Sequence, residues 1–317
     1  MIYSKIIKTS SYLPVNIVHN KDLEKIIETT DKWIQERSGI VQRHIVAPAE
    51  NSATMAISAA EKIFASGEIS KDDVDMIIVA TCTPAKLLPS SACLVQSALG
   101  IKNIPAFDMN SACSGFVYAL STADQYIKSG FCKRVLVIGS DAMSQIIDWE
   151  DRSTCILFGD GAGAVLLGAS SDPGILANKL GADGSNSDLL ASKGSLLTAA
   201  EPPYITMQGK EVFKKAVKAL GSIAEEILDD AGIDPSALSW LIPHQANKRI
   251  IESTAKMLEM PMDKVILTID KHANTSAASI PLALDEGITS GKIKRGDLLL
   301  LEAFGAGLSW GASLIKY

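Results

Sequence analysis

Short uninterrupted apolar runs alternate along the chain with longer stretches in which apolar positions recur every three or four residues. That alternation predicts strands interleaved with helices, an α/β fold. "VDMIIVA", "IPAFDM", "KRVLVIG" and "GAVLLGA" predict strands in the first half, and "LSWLIPH", "KVILTI", "GDLLLLEAF" and "GASLIKY" predict strands in the second. In "FDMNSACSGFVYAL" the pattern changes from strand to helix, with Phe116, Val117 and Leu120 at helical spacing. Cys113 is therefore expected at the first turn of a helix, just after a strand. Free backbone N–H groups and the positive end of the helix dipole favour a thiolate there, lowering a thiol from about 8.5 toward about 7.

The two sets of strands can be laid on each other. "AAEKIFASGEI" with "VDMIIVATCTP" resembles "IAEEILDDAGI" with "LSWLIPHQAN" at an offset of 164 (224 − 60). "KSGFCKRVLVIG" resembles "TSGKIKRGDLLLL" at an offset of 161 (295 − 134), and "FGDGAGAVLLG" resembles "FGAGLSWGASLI". Three matches in the same order indicate an internal duplication, with an N-terminal half over residues 1–173 and a C-terminal half over 174–317. Two such halves packed together make a pseudo-two-fold core with a site near their junction.

Composition narrows the function classes. Of 317 residues 47% are hydrophobic and 21% charged, as in an ordinary globular protein, and a net charge of −6 argues against a nucleic-acid partner. No window approaches 18 uninterrupted apolar residues and no signal peptide is evident, so a membrane is not expected as partner and a cytoplasmic location is. The five cysteines contain no CxxC and the four histidines (19, 44, 244, 272) no HExxH spacing, so no metal is expected. The glycines of "GDGAG" (159 to 163) lack dinucleotide-fingerprint spacing and are taken as tight turns entering a strand.

Three polar residues stand at strand ends that the duplication relates: Cys113, His244 in "LIPHQANKRI", and Asn274 in "IDKHANTSAASIPLAL", near the aligned position of Ala112. Packing alone would not choose them, and together they suggest one site. The motifs "FDMNSACSGF", "PHQANKRI", "HANTSAASIP" and "LEAFGAGLSWGA" resemble those of the β-ketoacyl-acyl-carrier-protein synthase III family, thiolase-like condensing enzymes. The resemblance runs from "KIIKTSSYLP" to the C-terminus. Elongating synthases are less similar, being longer and having a second histidine where Asn274 stands.

The resemblance implies a homodimer with a five-layered αβαβα thiolase-like fold and the initiating condensation of type II fatty acid synthesis. An acyl-CoA primer, acetyl-CoA first of all, acylates Cys113, and malonyl-acyl-carrier protein then loses CO2 and attacks the thioester. Acyl-CoA is a substrate, and no cofactor is implied. The N–H groups of Cys113 and Ala306 are expected to form the oxyanion hole, with His244 and Asn274 donating to the enolate. An amide cannot act as base at neutral pH. Carried over by motif, Trp33 and Arg152 stack on the CoA adenine, Arg37 meets its phosphates with Thr29 nearby, and Asn247 meets the pantetheine arm. Leu88 stands where many family members have a phenylalanine that reaches the partner's acyl pocket.

An acidic carrier protein needs a basic docking face on this acidic chain. Lys210, Lys214 and Lys218 share one stripe at i, i+4 and i+8, beside the apolar face of Phe213, Val217 and Leu220. Lys215, Gln245, Ala246, Asn247, Lys248, Arg249 and Lys256 complete the expected carrier surface. Two alternatives stay open at this level: a CoA-dependent condensing enzyme of secondary metabolism, and a non-catalytic thiolase-like partner subunit.

Overall fold

The computed structural model describes residues 1–194 and 202–317. Its core is two sheets facing each other across a central pair of helices. The first sheet holds β1 (Tyr3–Tyr12), β2 (Met76–Ala80), β3 (Ala106–Met109), β4 (Arg134–Ala142) and β5 (Asp160–Ser170), in the order β1-β5-β4-β2-β3. The second holds β6 (Ile175–Ala182), β7 (Trp240–Pro243), β8 (Leu298–Gly305) and β9 (Ser309–Lys316), in the order β6-β9-β8-β7. The chain passes from one sheet to the other in the turn between Ser170 and Ile175.

The helices sort into layers by how their apolar residues are distributed. α1 (Asp31–Ser38) lies outside the layers, while α2 (Ser52–Phe64) and α3 (Ser91–Leu99) cover the outer face of the first sheet. α4 (Gly115–Lys128) and α7 (Ser279–Thr289) lie between the sheets. α5 (Gly209–Ala231) and α6 (Lys248–Met257) cover the outer face of the second. The central helices are apolar almost all round: Ile280, Pro281, Leu282, Ala283 and Leu284 of α7 are consecutive and buried. A helix can bury every side only between two sheets. On α5, by contrast, Ala216, Leu220, Ile223, Ala224 and Ile227 face inward and the lysines outward. The result is the expected αβαβα fold.

The duplication is visible in register. Met76 of β2 pairs with Val135 of β4, and Trp240 of β7 pairs with Leu299 of β8, so both pairs follow an offset of 164 (240 − 76 and 299 − 135). Position 134 therefore matches 298, and the sequence alignment of Arg134 with Arg295 was three residues out. Arg295 lies in the turn before β8, with its guanidinium on the carbonyls of Ile6 and Ile7.

Two further expectations are corrected. "KVILTI" forms no strand. It is reduced to a bridge between Leu241 and Val265, because the Gln245 side chain takes the N–H groups of Thr268 and Ile269 that a strand would have given to a neighbour. Gly161 and Gly163 sit inside β5 and not in a turn before it. A Cβ on Gly163 would lie 2.7 Å from Pro281 Cβ, so glycine there is what lets α7 pack against the sheet. β1 and β6, the equivalent strands at one edge of each sheet, lacked a periodic signal strong enough to predict them.

Candidate active site

The turn between β3 and α4 presents Cys113. Met109 ends the strand, Ala112 takes a positive φ of 45°, and a single 3₁₀ turn, Ala112–Ser114, leads into α4. Asn110 makes the reversal possible by accepting the Ala112 N–H on Oδ1 at 3.1 Å. The C-terminal half repeats this at the same offset: Asn274 Oδ1 accepts the Ser276 N–H at 2.9 Å, Ser276 has a φ of 52°, and a 3₁₀ turn leads into α7. Asn274 is thus the counterpart of Asn110 and not of Ala112, a correction of two residues.

This local bond orients the amide. With Oδ1 held by Ser276, Asn274 offers Nδ2 as a donor, and its backbone is anchored between Leu157 and Gly159 at 2.9 and 3.0 Å. His244 follows β7, and its N–H donates to the Glu302 carbonyl at 2.7 Å. Its Nδ1 lies 2.6 Å from Ser279 Oγ, an oxygen that also accepts the Gln245 N–H at 3.3 Å. Among the described residues, Nδ1 is the one acceptor for the Ser279 hydroxyl proton. That places the ring proton on Nε2. Burial pushes the His244 imidazole down to about 3, so it is neutral across the physiological range.

The turn from Asn274 to Ser279 is the hub of the site. Ser276 Oγ lies 3.7 Å from Cys82 Sγ, while Ser279 holds His244. Cys113, His244 and Asn274 are 7%, 4% and 6% exposed, nearly enclosed but none fully sealed. Opposite Cys113 runs the end of β8: a Cβ on Gly305 would lie 2.8 Å from the Cys113 nitrogen. Ser309 accepts or donates to Ser114 at 2.7 Å and donates to the Ala306 carbonyl at 2.9 Å, tying the "FGAG" turn to the cysteine turn. Among the described residues, neither the Cys113 nor the Ala306 N–H has an acceptor.

The expected lowering of the Cys113 thiol is not found. Burial is the largest influence and pushes it up to about 12, with the Ser276 hydroxyl opposing in part. A helix start favours the thiolate, but enclosing that charge away from water costs more. All five cysteines are free.

A second group gathers where α1 meets α6. The guanidinium carbons of Arg152 and Arg37 lie 4.9 and 5.8 Å from the centre of the Trp33 ring, and Arg152 also donates to the Glu28 carbonyl at 2.9 Å. The adjacent Thr29 has a buried hydroxyl without a partner. Asn247 caps α6 through the Arg249 N–H and donates to the Arg37 carbonyl at 3.0 Å, which joins this group to the strand end carrying His244.

Lys214, Lys248, Arg249 and Lys256 are exposed, and the Arg249 guanidinium lies 5.4 Å from the centre of the Phe213 ring, linking α5 to α6. Ala246 is half-buried beside them. Gln245 does not belong to this surface. It is fully buried, with its amide nitrogen on the carbonyls of Pro243 and Ile266 and its oxygen on Thr268 and Ile269. Leu88 is 83% exposed. The sequence reading missed the apolar cluster at the Asn274 end, where Phe158, Met143 and Ile205 pack with Cys82 and Leu190. Its only sequence signal was the apolar run around Phe158. Among the described residues, no cluster of metal-binding side chains occurs and no helix is long and apolar enough to cross a membrane.

Two duplicated sheet-and-helix halves, with a cysteine and an asparagine on equivalent turns and a histidine beside them, define a condensing enzyme of the thiolase-like class. Residues 107–184 match the family described as 3-oxoacyl-[acyl-carrier-protein (ACP)] synthase III, and residues 228–317 match its C-terminal counterpart. The chain is 55% identical to the β-ketoacyl-[acyl-carrier-protein] synthase III of Coxiella burnetii, over 100% of both chains. It superposes on the crystal structure of the 3-oxoacyl-[acyl-carrier-protein] synthase III of Aquifex aeolicus with a TM-score of 0.95 at 50% identity, covering 99% of this chain and 100% of that one. The priming β-ketosynthase of the R1128 polyketide pathway matches with a TM-score of 0.95 at 35% identity, over 99% of this chain and 96% of that one. The chain belongs to the β-ketoacyl-acyl-carrier-protein synthase III family, the acyltransferases that carry out the initiating condensation of fatty acid synthesis, with acyl-CoA and acyl-carrier protein as substrates.

Proposed function

We propose that Cys113 carries the primer acyl group and that His244 and Asn274 stabilise the enolate formed from malonyl-carrier protein. The Cys113 sulfur attacks the acyl-CoA carbonyl, the thiol proton it gives up passes to the departing CoA sulfur so that CoA leaves as its thiol, and the N–H groups of Cys113 and Ala306 receive the tetrahedral oxyanion. Malonyl thioester then releases CO2, and the electron pair of the broken C–C bond passes to the α-carbon and thioester oxygen. That carbanion attacks the acyl carbon and expels the Cys113 thiolate, which takes one proton from solvent and is ready for another primer. No step calls for a metal or prosthetic group.

The observation that carries this reading is the fixed donor orientation. Nε2–H of His244 and Nδ2–H of Asn274 are what their hydrogen bonds to Ser279 and Ser276 leave over. Neither is a base at neutral pH, and decarboxylation needs none. A well-aimed donor at a developing oxyanion contributes about 3 kcal/mol, roughly a hundredfold in rate.

Trp33 and Arg152 would clamp the CoA adenine between indole and guanidinium, with Arg37 and Thr29 toward the phosphates and Asn247 toward the pantetheine arm. Lys214, Lys248, Arg249 and Lys256, with Ala246 and Asn247 at the rim, would receive the acidic carrier. The working form is a cytoplasmic homodimer in which Leu88 reaches the acyl pocket of the second chain, whose walls are Cys82, Met143 and Phe158. Acetyl is the first primer, and a leucine at position 88 leaves room for longer ones.

Intact-mass measurement tests the reading. Acetyl-CoA should add about 42 Da to the wild type and nothing to Cys113→Ser, since a serine hydroxyl here has no adjacent base. His244→Ala and Asn274→Ala should keep the adduct while losing decarboxylation about a hundredfold each. An adduct surviving in Cys113→Ser, or either donor variant decarboxylating normally, defeats the assignment.

A further inference from the structure

The pseudo-two-fold relation pairs Cys113 with Ala277 and Gly305 with Asp141, each at the offset of 164 established by the strand registers (277 − 113 and 305 − 141). The two pairs meet across the junction in opposite senses. Gly305 of the second half lies against the Cys113 nitrogen, and Asp141 of the first half lies against the Ala277 nitrogen. Here the symmetry breaks. Glycine leaves the Cys113 N–H open, whereas Asp141 Oδ2 accepts the Ala277 N–H at 3.1 Å.

The other Asp141 oxygen is equally committed. Oδ1 accepts the N–H groups of Cys82 and Thr83 and the hydroxyls of Thr81 and Thr83 at 2.8 to 3.1 Å. The carboxylate is fully buried, and no cation pairs with it among the described residues. Burial pushes the Asp141 carboxyl up, and the donors converging on it pull the other way. It therefore stands where, at the mate position, an acyl oxyanion would lie.

We propose that Asp141 is a positioning residue: a resident carboxylate that fills the mate of the oxyanion hole and so fixes the Asn274–Ala277 turn that aims the Asn274 donor. Three hydrogen bonds from its backbone tie that turn to the first half: Leu157 and Gly159 at its start and Asp141 at its end. Asn274 takes its own direction from the Ser276 N–H, one peptide before Ala277. Losing the Asp141 contact frees this end of the turn and lets the amide swing. Cys113 and its open N–H sit on the other turn and are not held by Asp141. The inference rests on the assignment of Asn274 to decarboxylation.

Asp141→Asn tests it. Four donors keep the amide oxygen on residues 81–83, so the new NH2 faces the Ala277 N–H and the third contact is lost. Decarboxylation of malonyl-carrier protein should fall ten- to a hundredfold in kcat with KM little changed, while Cys113 acylation by acetyl-CoA stays within about threefold. Loss of both half-reactions in proportion, or of neither, overturns the proposal in favour of a purely structural aspartate. Asn274→Ala is measured alongside. If that variant decarboxylates at the full rate, the role of Asn274 is wrong and the inference goes with it. If it fails and Asp141→Asn does not, only the inference goes. Should Asp141→Asn not fold, hydrogen exchange of wild-type residues 274–279 decides: protection like that of β4 supports the carboxylate cap, and exchange as fast as an exposed loop overturns it.

Discussion

His244 and Ser279 share a proton whose position sets the chemistry of the imidazole. The 2.6 Å contact between Nδ1 and Oγ, with the Gln245 N–H on the same oxygen, leaves Nε2 as the donor. Ser279→Ala should release the tautomer and the ring orientation together. Malonyl decarboxylation is expected to fall about tenfold, equivalent to about 1.4 kcal/mol of transition-state stabilisation, with acylation unaffected. Comparing CO2 release with the Cys113 adduct by mass spectrometry separates the two. Because the imidazole is pushed down to about 3, decarboxylation should show no inflection near pH 6.5. A limb there would mean that His244 titrates in the working range.

Gly305 is where a single methyl group should do most harm to acylation. A Cβ 2.8 Å from the Cys113 nitrogen sits where the acyl oxygen would have to approach, and backbone on both sides cannot give way. Gly305→Ala should cut Cys113 acylation a hundredfold or more. A rapidly acylated variant would show that the oxyanion is received elsewhere.

The basic face should act on encounter and not on chemistry. Lys214→Ala and Arg249→Ala together should raise KM for malonyl-carrier protein about tenfold and leave acyl-CoA transfer unchanged. Exposed charges are screened over a Debye length of about 8 Å at physiological ionic strength, so added salt should erase the difference between variant and wild type. Damage to both half-reactions would move these residues out of the docking face.

Glu302 predicts a pH-dependent cost to stability. Both carboxylate oxygens are buried without a partner, and burial pushes the group up to about 8. In the unfolded chain it ionises near 4.3, so the unfolded state holds fewer protons between about pH 4.3 and 8. Raising the pH through that window therefore favours unfolding, by up to about 1.4 kcal/mol per pH unit. Glu302→Gln cannot ionise and should melt at a temperature close to wild type at pH 5 and well above it at pH 8. A constant difference between the two melting temperatures across that range would contradict the buried, protonated carboxyl.

Much of the site was legible because its signals are local. Cys113 announced itself as a lone thiol at a strand-to-helix boundary, and "PHQANKRI" and "HANTSAASIP" are contiguous. The Trp33, Arg37 and Arg152 group emerged by motif and is gathered in space. The strand "KVILTI" misled because its apolar pattern is genuine, while the Gln245 side chain that takes its hydrogen bonds lies 23 residues before Thr268. Gln245 was misplaced on the carrier surface for the same reason: a polar residue beside basic ones looks exposed until its four internal hydrogen bonds are counted.

Hydrophobic period determined that the chain is α/β, and three matched motifs in the same order determined that it is duplicated. α7 buries consecutive apolar residues and α5 is striped, and such patterns report burial because each helix packs against its own layer. What period could not decide were relations between the two halves: that Asn274 answers to Asn110, that Gly163 must admit Pro281, and that Asp141 fills for Ala277 what Gly305 leaves open for Cys113. Those depend on how closely two backbones approach and where a few donors point. Such distances are set when the two halves pack together, because neither half contains both members of any of these contacts.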